Sequence, residues 1–296
     1  MEKKSSQLLK EIYNKLDNFL LSKIKKGKFP LKNYYGEIFF AGAIKNNKIK
    51  KEILSYYKKR DKSDIDFHWE FNNYLLQQLG VSEEEYNYLY FNRPFYKKVT
   101  NWMFMRSLVY LRSKKTLKIL QGHLIILLAI FLNQRKGILY DNRIYKRKEY
   151  SVQYHAFATL MLGEIFLETK NKFYKKRFES AIIQLKKMSK TIKNFSVGRG
   201  KRQIFGYASA IYALTLGEKF LLINSEKEIL ILLKELKKYQ RKDGFIPLCL
   251  TKEELKFEDE DYKKLGANIR GWESYNRFYD YEAFLYYYLR KTLKIF

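Results

Sequence analysis

The sequence has little cysteine, proline and histidine, and each shortage excludes a class of structure. Its 296 residues include one cysteine, Cys249, so neither an internal disulfide nor a cysteine-based metal site is possible. Only three prolines interrupt long segments rich in leucine, isoleucine, lysine and glutamate, which favours a mostly helical chain. Because three histidines form no zinc-type pair and the acidic residues form no dense loop, we expect no metal site.

Signals for nucleotide binding, export and membrane insertion are also missing. Neither a Walker motif nor the glycine fingerprint of dinucleotide-binding proteins occurs, so we expect no cofactor. The N-terminal residues lack the apolar core of about 7–15 residues that an export signal requires. The most apolar run, Leu124–Leu132, is too short to span a bilayer. We therefore expect a cytoplasmic protein without a membrane span.

The chain is strongly basic, with a formal charge of +28 from 59 lysines and arginines against 31 aspartates and glutamates. A field of this sign attracts polyanions, which include nucleic acid, anionic lipid and acidic polysaccharide. Much of the excess is lysine spread over predicted helix surfaces, so a general lysine bias is an equally good interpretation. Charge alone does not choose among these partners.

Apolar residues recur at helical spacing along most of the chain, and basic loops that contain glycine separate several of the helices. Such loops begin near residues 25, 135 and 241. Recurring helix–loop–helix units indicate stacked α-hairpins in a solenoid or closed ring. We therefore predict an all-α fold, an (α/α) toroid with a short β-hairpin or extended loops, as one domain over residues 1–296.

Two predicted helices look buried on all sides. One face of residues 204–217 carries four small side chains, at Gly206, Ala210, Ala213 and Gly217. Apolar and aromatic side chains fill the other faces, as is typical of an enclosed helix. Residues 116–134 carry leucine, isoleucine or phenylalanine on nearly every side, so the same burial is expected there. The basic turn 198–202 directly precedes the predicted helix at residues 204–217, and the N-terminus of a helix favours an anion.

Four groups of aromatic and polar residues begin predicted helices. They comprise His68, Trp69 and Asn73; Asn101 and Trp102; Tyr154 and His155; and Trp272, Tyr275, Asn276, Tyr279 and Asp280. In a ring of hairpins the inner helices begin at one mouth, where these groups would meet Arg199 and Arg202. Tryptophan and tyrosine offer flat faces to sugar rings, while asparagine, histidine and arginine supply hydrogen bonds and charge. The alternative is that these residues are helix caps and packing contacts.

Short motifs in this part of the chain resemble the α/α-toroid polysaccharide lyases, in particular the heparinase II/III-like and chondroitin/hyaluronate lyase-like groups. The motifs are Asn101-Trp102, Tyr154-His155, Gly198-Arg199-Gly200 and Tyr275-Asn276. The resemblance implies a lyase that cleaves a uronate-containing polysaccharide by β-elimination. It implies that Asn101 and Arg199 or Arg202 neutralise the uronate carboxylate, that His155 is the base, and that the acid is Tyr154, Tyr207 or Tyr275.

Substrate binding is assigned to the other members of the four groups and to the basic turn. These residues are His68, Trp69, Asn73, Trp102, Arg202, Trp272, Asn276, Tyr279 and Asp280. The expected partner is an anionic polysaccharide or oligosaccharide.

Two other functions stay open at the level of the sequence. A glycoside hydrolase of the same fold would need paired carboxylates, for which Glu70, Glu273 and Asp280 are the candidates. An inert protein that binds a glycan or nucleic acid would use the excess positive charge and the interleaved tyrosines.

Overall fold

The computed structural model describes residues 4–30, 33–60, 68–81, 99–141, 151–197, 200–258, 261–264 and 277–296. Their helices are α1 (Lys4–Ser22), α2 (Gly36–Ala43), α3 (Asn47–Tyr57), α4 (Trp69–Gln78), α5 (Thr100–Leu111), α6 (Thr116–Asn133), α7 (Val152–Thr169), α8 (Lys172–Met188), α9 (Ile204–Leu221), α10 (Glu226–Lys238), α11 (Asp261–Lys264) and α12 (Phe278–Leu293). Two short 3₁₀ helices are Ile192–Ser196 and Glu254–Lys256. An antiparallel hairpin pairs β1 (Gln134–Arg135) with β2 (Ile138–Leu139). The all-α prediction is confirmed.

Within the described residues, six helices contact one another in a closed order. Helix α2 contacts α4, α4 contacts α5, α5 contacts α7, α7 contacts α9, α9 contacts α12, and α12 returns to α2. Other helices pack on the outside of this ring: α3 on α2, α6 on α5, α8 on α7 and α9, and α10 on α9. Helix α1 contacts α10 and α12, so the two ends of the described chain lie side by side.

Four phenylalanines from four ring helices fill the middle of the ring. The ring centroid of Phe157 in α7 lies 5.7 Å from that of Phe71 in α4 and 4.8 Å from that of Phe205 in α9. The centroid of Phe284 in α12 lies 4.4 Å from that of Phe205 and 5.6 Å from that of Phe157. All four side chains are buried, so the ring encloses a packed aromatic core at this level.

Helix α9 approaches its neighbours closely because of its small residues. Every residue from Ile204 to Gly217 is buried, as the sequence predicts. A Cβ atom at Gly206 would collide with the side chain of Gln153 at the start of α7. A Cβ atom at Gly217 would lie 2.8 Å from Cγ2 of Ile182 in α8. Glycine at both positions therefore lets α9 pack tightly between α7 and α8.

The prediction that residues 116–134 are buried on all sides is wrong. Helix α6 is an outer helix that packs on α5, and its buried residues include Gly122, Ile126 and Ala129. Its opposite face exposes large apolar side chains to solvent. Among the described helices it alone has the length and composition to cross a membrane. An apolar composition alone does not show whether protein surrounds a helix on all sides. A helix that packs on a neighbour with one apolar face and exposes a second apolar face to solvent has the same composition.

A buried carboxyl group in α12 makes the stability of the fold depend on pH. Glu282 is fully buried, and burial raises its pKa well above the usual value, while the backbone N–H of Ile246 opposes this shift. Because the folded pKa exceeds the unfolded pKa, the stabilising contribution of Glu282 is complete below the unfolded pKa. It is lost as the pH rises through the folded pKa.

Replacing this carboxyl, Glu282→Gln, is therefore expected to raise the free energy of unfolding at about pH 8 by about 1–3 kcal/mol. At about pH 3, where the wild-type carboxyl is protonated in both states, the two proteins are expected to be equally stable. Urea-induced unfolding at both pH values measures the difference. A gain of equal size at both values would contradict the prediction, because it would come from packing and not from ionisation.

Candidate functional site

The N-terminal ends of four ring helices meet at one side of the ring. Asp280, in the first turn of α12, accepts hydrogen bonds from the backbone N–H groups of residues 34–36 at the start of α2, over 2.6–3.0 Å. His68 directly precedes α4, and its ring centroid lies 5.3 Å from that of Tyr34. The same imidazole lies 5.9 Å from the ring of Trp102 in the first turn of α5.

We call Tyr34, Tyr35, His68, Trp102 and Arg277 the His68 cluster. Arg277 directly precedes α12, and its Nη2 donates a hydrogen bond of 3.1 Å to the hydroxyl oxygen of Tyr34. The guanidinium carbon of Arg277 lies 5.1 Å from the centroid of the Tyr34 ring. Tyr34, Trp102 and Arg277 are half-buried, whereas Tyr35 and His68 are buried. The cluster therefore presents a cation and two aromatic side chains to solvent.

A buried ion pair joins the first turn of α4 to the second turn of α5, and its carboxylate lies two residues after His68. Nη2 of Arg106 lies 3.3 Å from Oε1 of Glu70, and both side chains are buried. The guanidinium carbon of Arg106 also lies 4.5 Å from the ring centroid of Trp69. Glu70 is one of the carboxylates that a hydrolase would need, and here a guanidinium balances its charge. Such a pair depends on both partners, because either one alone would be a buried uncompensated charge.

The carboxylate of Asp280 holds two ring helices together. Burial raises the pKa of Asp280 to about 6, while the backbone N–H groups of residues 34–36 and the charge of Arg60 lower it. Helices α2 and α12 are so close here that a Cβ atom at Gly36 would lie 2.6 Å from the carbonyl oxygen of Tyr279. These contacts give Asp280 a structural function, and its predicted substrate binding stays a prediction.

Removing this carboxylate, Asp280→Ala, is expected to lower the free energy of unfolding by about 2–4 kcal/mol at neutral pH, because buried N–H donors lose their acceptor. Asp280→Asn keeps one acceptor oxygen, so a loss of about half that size is expected. Urea-induced unfolding of both variants measures these values. Losses of equal size in the two variants would contradict the proposed function of the oxygens as acceptors.

Two other predicted residues lie in α4 and α5, and one of them contacts the cluster. Oδ1 of Asn101 accepts the backbone N–H of Trp102 at 2.8 Å, and the side chain of Asn101 is buried. Asn73 is buried and lies three residues after Glu70, on the same side of α4. The structure thus brings the predicted residues of these two groups to the beginnings of two neighbouring helices.

His155 and Tyr207 lie in the core, fully buried. Nδ1 of His155 accepts the backbone N–H of Leu139 at 3.1 Å, and burial lowers the pKa of His155 to about 4, so its ring is neutral. Burial raises the pKa of Tyr207 well above its usual value. Both side chains are shielded from solvent, and the base and acid functions predicted for them stay predictions. Tyr154 is half-buried at the start of α7.

Two further predicted residues contact elements outside the ring. Arg202 forms an ion pair with Glu235 of α10, and its guanidinium carbon lies 5.2 Å from the ring centroid of Tyr239. Tyr279 is buried, with its ring centroid 5.8 Å from that of Phe29. Neither contact favours substrate binding. The remaining predicted residues lie outside the described residues: Arg199, Trp272, Glu273, Tyr275 and Asn276.

Sequence reasoning missed Tyr34, Tyr35 and Arg277. The sequence does contain a signal for the two tyrosines. Like the aromatic residues of the four groups described above, they lie at the beginning of a predicted helix. Arg277 had no such signal, since its partner Tyr34 is 243 residues away in the sequence. Among the described residues, no group of three or more histidine, cysteine, aspartate or glutamate side chains is placed to hold a metal ion.

Comparisons with known proteins bear on the fold. No protein-family model matches the sequence, and no curated protein sequence matches it. The structure is similar to that of a glycosyl hydrolase family 88 protein from Bacteroides vulgatus, with a TM-score of 0.61 and 13% identity over 98% of this chain and 99% of that chain. It is also similar to a polysaccharide lyase, with a TM-score of 0.61 and 11% identity over 97% of each chain. The resemblance to polysaccharide lyases is therefore confirmed at the level of the fold.

Proposed function

We propose that the chain is a single (α/α)-toroid domain that binds an acidic polysaccharide at the His68 cluster and cleaves it by β-elimination. The observation that carries the proposal is the convergence of His68, Tyr34, Trp102 and Arg277 at one end of the ring. The closed order of the six ring helices supports the toroid. The names of the two structural neighbours, a glycosyl hydrolase and a polysaccharide lyase, support a carbohydrate substrate.

The His68 cluster supplies the groups that binding of a uronate sugar requires. The half-buried indole of Trp102 offers a flat apolar face for a sugar ring. The guanidinium of Arg277 offers charged N–H donors for the uronate carboxylate. Removal of the proton next to that carboxylate builds up negative charge, which a fixed cation stabilises more in the transition state than in the substrate. The chain's charge of +28 draws an anionic polymer toward the protein as a whole.

We assign the proton transfers to His68 and Tyr34. His68 removes the sugar proton, and Tyr34 protonates the oxygen of the leaving sugar. Arg277 donates its hydrogen bond to the Tyr34 oxygen, so it does not compete for the hydroxyl proton that Tyr34 would deliver. The two rings lie 5.3 Å apart between centroids, a separation that allows both to act on one bound sugar residue.

The state of the carboxylates favours elimination over hydrolysis. A hydrolase needs one carboxyl as acid and a second as base or nucleophile, both facing the sugar. Within the part of the chain that the structure describes, Glu70 is paired with Arg106 and the oxygens of Asp280 accept backbone N–H groups at this end of the ring. Proton transfer by His68 and Tyr34 needs no such pair of carboxylates.

Mass spectrometry of the products formed in heavy-oxygen water tests the proposal. The protein is incubated with a panel of acidic polysaccharides that differ in their uronate and in their sulfation. Elimination is expected to give fragments that contain no solvent oxygen and end in an unsaturated uronate. One solvent oxygen per cleaved bond would contradict elimination and assign a hydrolase instead. Binding without cleavage across the panel would contradict catalysis.

A further inference from the structure

The outward face of helix α6 carries an unusually long row of exposed apolar side chains. Their exposed fractions are Leu117 66%, Leu120 55%, Leu124 57%, Leu127 44%, Leu128 40% and Phe131 79%. We call these six residues the α6 stripe. The inward face of the same helix is already packed, because Ile126, Ala129 and Ile130 are buried against the ring. A contiguous apolar surface of this size on a soluble protein marks an interaction site.

The spacing of the α6 stripe keeps it on one side of the helix. Successive members from Leu117 to Phe131 are separated by three, four, three and four residues, with Leu128 beside Leu127. From residue 119 to residue 134 the chain contains no lysine, arginine, aspartate or glutamate. The row from Leu117 to Phe131 therefore extends over about 21 Å along this helix, at 1.5 Å per residue.

Positive charge borders the α6 stripe at both ends and along one side. Lys114 and Lys115 precede the helix, and Arg135 and Lys136 follow it, all of them exposed. Helix α8 lies alongside, since Nδ1 of His123 is 2.9 Å from the hydroxyl oxygen of Tyr174. The first two turns of α8 expose four more basic side chains, at Lys172, Lys175, Lys176 and Arg177.

This charge pattern disfavours a second copy of the chain as the occupant. Two copies paired along the α6 stripe in an antiparallel arrangement would bring Lys114 and Lys115 next to Arg135 and Lys136. A parallel arrangement would bring each basic end next to itself. Both place like charges together at the rim of the interface, and no acidic residue lies among these positions to balance them.

We propose that the α6 stripe docks the protein onto the surface of an anionic membrane. Helix α6 lies in the plane of the surface, and its leucines and Phe131 enter the boundary between headgroups and acyl chains. The flanking lysines and arginines bind the lipid phosphates, and their positions at the two ends and at one side match that geometry. The helix does not cross the bilayer, because its other face packs on α5.

Vesicle co-sedimentation tests the proposal with a matched pair of variants. The stripe variant carries Leu120→Gln, Leu124→Gln and Leu127→Gln, and the control carries Leu222→Gln, which changes an apolar residue that is 89% exposed at the end of α9. The wild type and the control are expected to bind vesicles of phosphatidylcholine and phosphatidylglycerol equally. The affinity of the stripe variant for these vesicles is expected to be at least about tenfold lower, with an unchanged circular dichroism spectrum.

A fluorescence measurement distinguishes insertion from charge attraction. Because Cys249 is buried, a thiol-reactive environment-sensitive dye labels Leu128→Cys selectively. Anionic vesicles are expected to shift its emission to the blue, and to leave the same dye at Leu222→Cys unchanged. Three results would overturn the proposal: no binding to vesicles, equal binding by the stripe variant, or a lipid-free dimer that the stripe variant abolishes. The last would assign the surface to a second copy.

Discussion

Tyr34→Phe is expected to lower the turnover number on an acidic polysaccharide by about 100-fold or more, and to change KM by about twofold or less. The substitution removes only the hydroxyl group that we propose as the proton donor, and a positioned acid contributes about 100- to 10,000-fold to a rate. The phenyl ring keeps its contacts with the ring of His68 and the guanidinium of Arg277, and only the hydrogen bond from Arg277 to the hydroxyl oxygen is lost. The change therefore acts on the chemical step and leaves sugar binding in place.

Tyr56→Phe is the matched control for this variant. Tyr56 is a half-buried tyrosine of the outer helix α3, and Lys28 contacts the face of its ring at 4.9 Å, as Arg277 contacts Tyr34. We expect full activity in Tyr56→Phe. A Tyr34→Phe enzyme with wild-type turnover would contradict the assignment of the acid. A large rise in KM with unchanged turnover would assign Tyr34 to substrate binding.

A double-mutant cycle examines whether Tyr34 and Arg277 act together. Arg277→Met alone is expected to lower kcat/KM strongly, because it removes both the cation for the carboxylate and the hydrogen bond to Tyr34. In the doubly substituted enzyme the combined loss is expected to be smaller than the product of the two single losses. Independent, multiplicative losses would contradict a shared function of the two side chains.

Glu164→Gln is expected to lower the free energy of unfolding by about 3–5 kcal/mol. Glu164 is buried in α7, where it forms an ion pair with Lys291 of α12 and accepts a hydrogen bond of 2.7 Å from the hydroxyl group of Tyr212 in α9. Nη2 of Arg112, directly after α5, lies 3.5 Å from its second oxygen. One carboxylate thus joins four ring helices, and its removal leaves the largely buried Lys291 without a counter-charge and leaves Arg112 with only Glu168.

The pKa values of this group support a charged carboxylate. Burial raises the pKa of Glu164, but Lys291, Arg112 and Tyr212 together hold it below the usual value. Because the folded pKa is depressed, the contribution to stability is present above the unfolded pKa and is lost as the pH falls through the folded pKa. The difference between Glu164→Gln and the wild type is therefore expected to shrink in acid.

Glu168→Gln is the control for the Glu164 variant. Glu168 is one helical turn further along α7 and contacts Nε of Arg112 at 2.7 Å, but its side chain is 35% exposed. Solvent screens this pair, so a loss of about 1 kcal/mol or less is expected. Adding Lys291→Met to Glu164→Gln is expected to restore part of the stability, because it removes one uncompensated charge. Equal losses for Glu164→Gln and Glu168→Gln in urea-induced unfolding would contradict this account.

The fold was predictable where local patterns determine it. The helical spacing of apolar residues predicts nearly all the described helices, and the small residues of α9 predict its burial. The closure of the ring depends on contacts that no local pattern contains. Asp280 bonds to backbone groups about 245 residues earlier in the chain, so its structural function was not recognisable from the sequence.

The candidate site was predictable only in part, for a related reason. The sequence identifies helix beginnings that combine aromatic and polar residues, and His68 and Trp102 do meet. It does not say which face of a helix is turned toward solvent. His155 lies on a buried face of α7, and the leucines of α6 lie on an exposed one, although sequence patterns suggested the reverse for both.

The measurement that tests the central claim most directly is the ultraviolet absorbance of the unsaturated uronate product. Wild type, Tyr34→Phe and Tyr56→Phe are mixed in turn with the panel of acidic polysaccharides. We expect a steady rise with at least one polysaccharide for the wild type and for Tyr56→Phe, and a nearly flat trace for Tyr34→Phe. A flat trace for the wild type with every polysaccharide, or an equal rise in all three proteins, would contradict elimination at the His68 cluster.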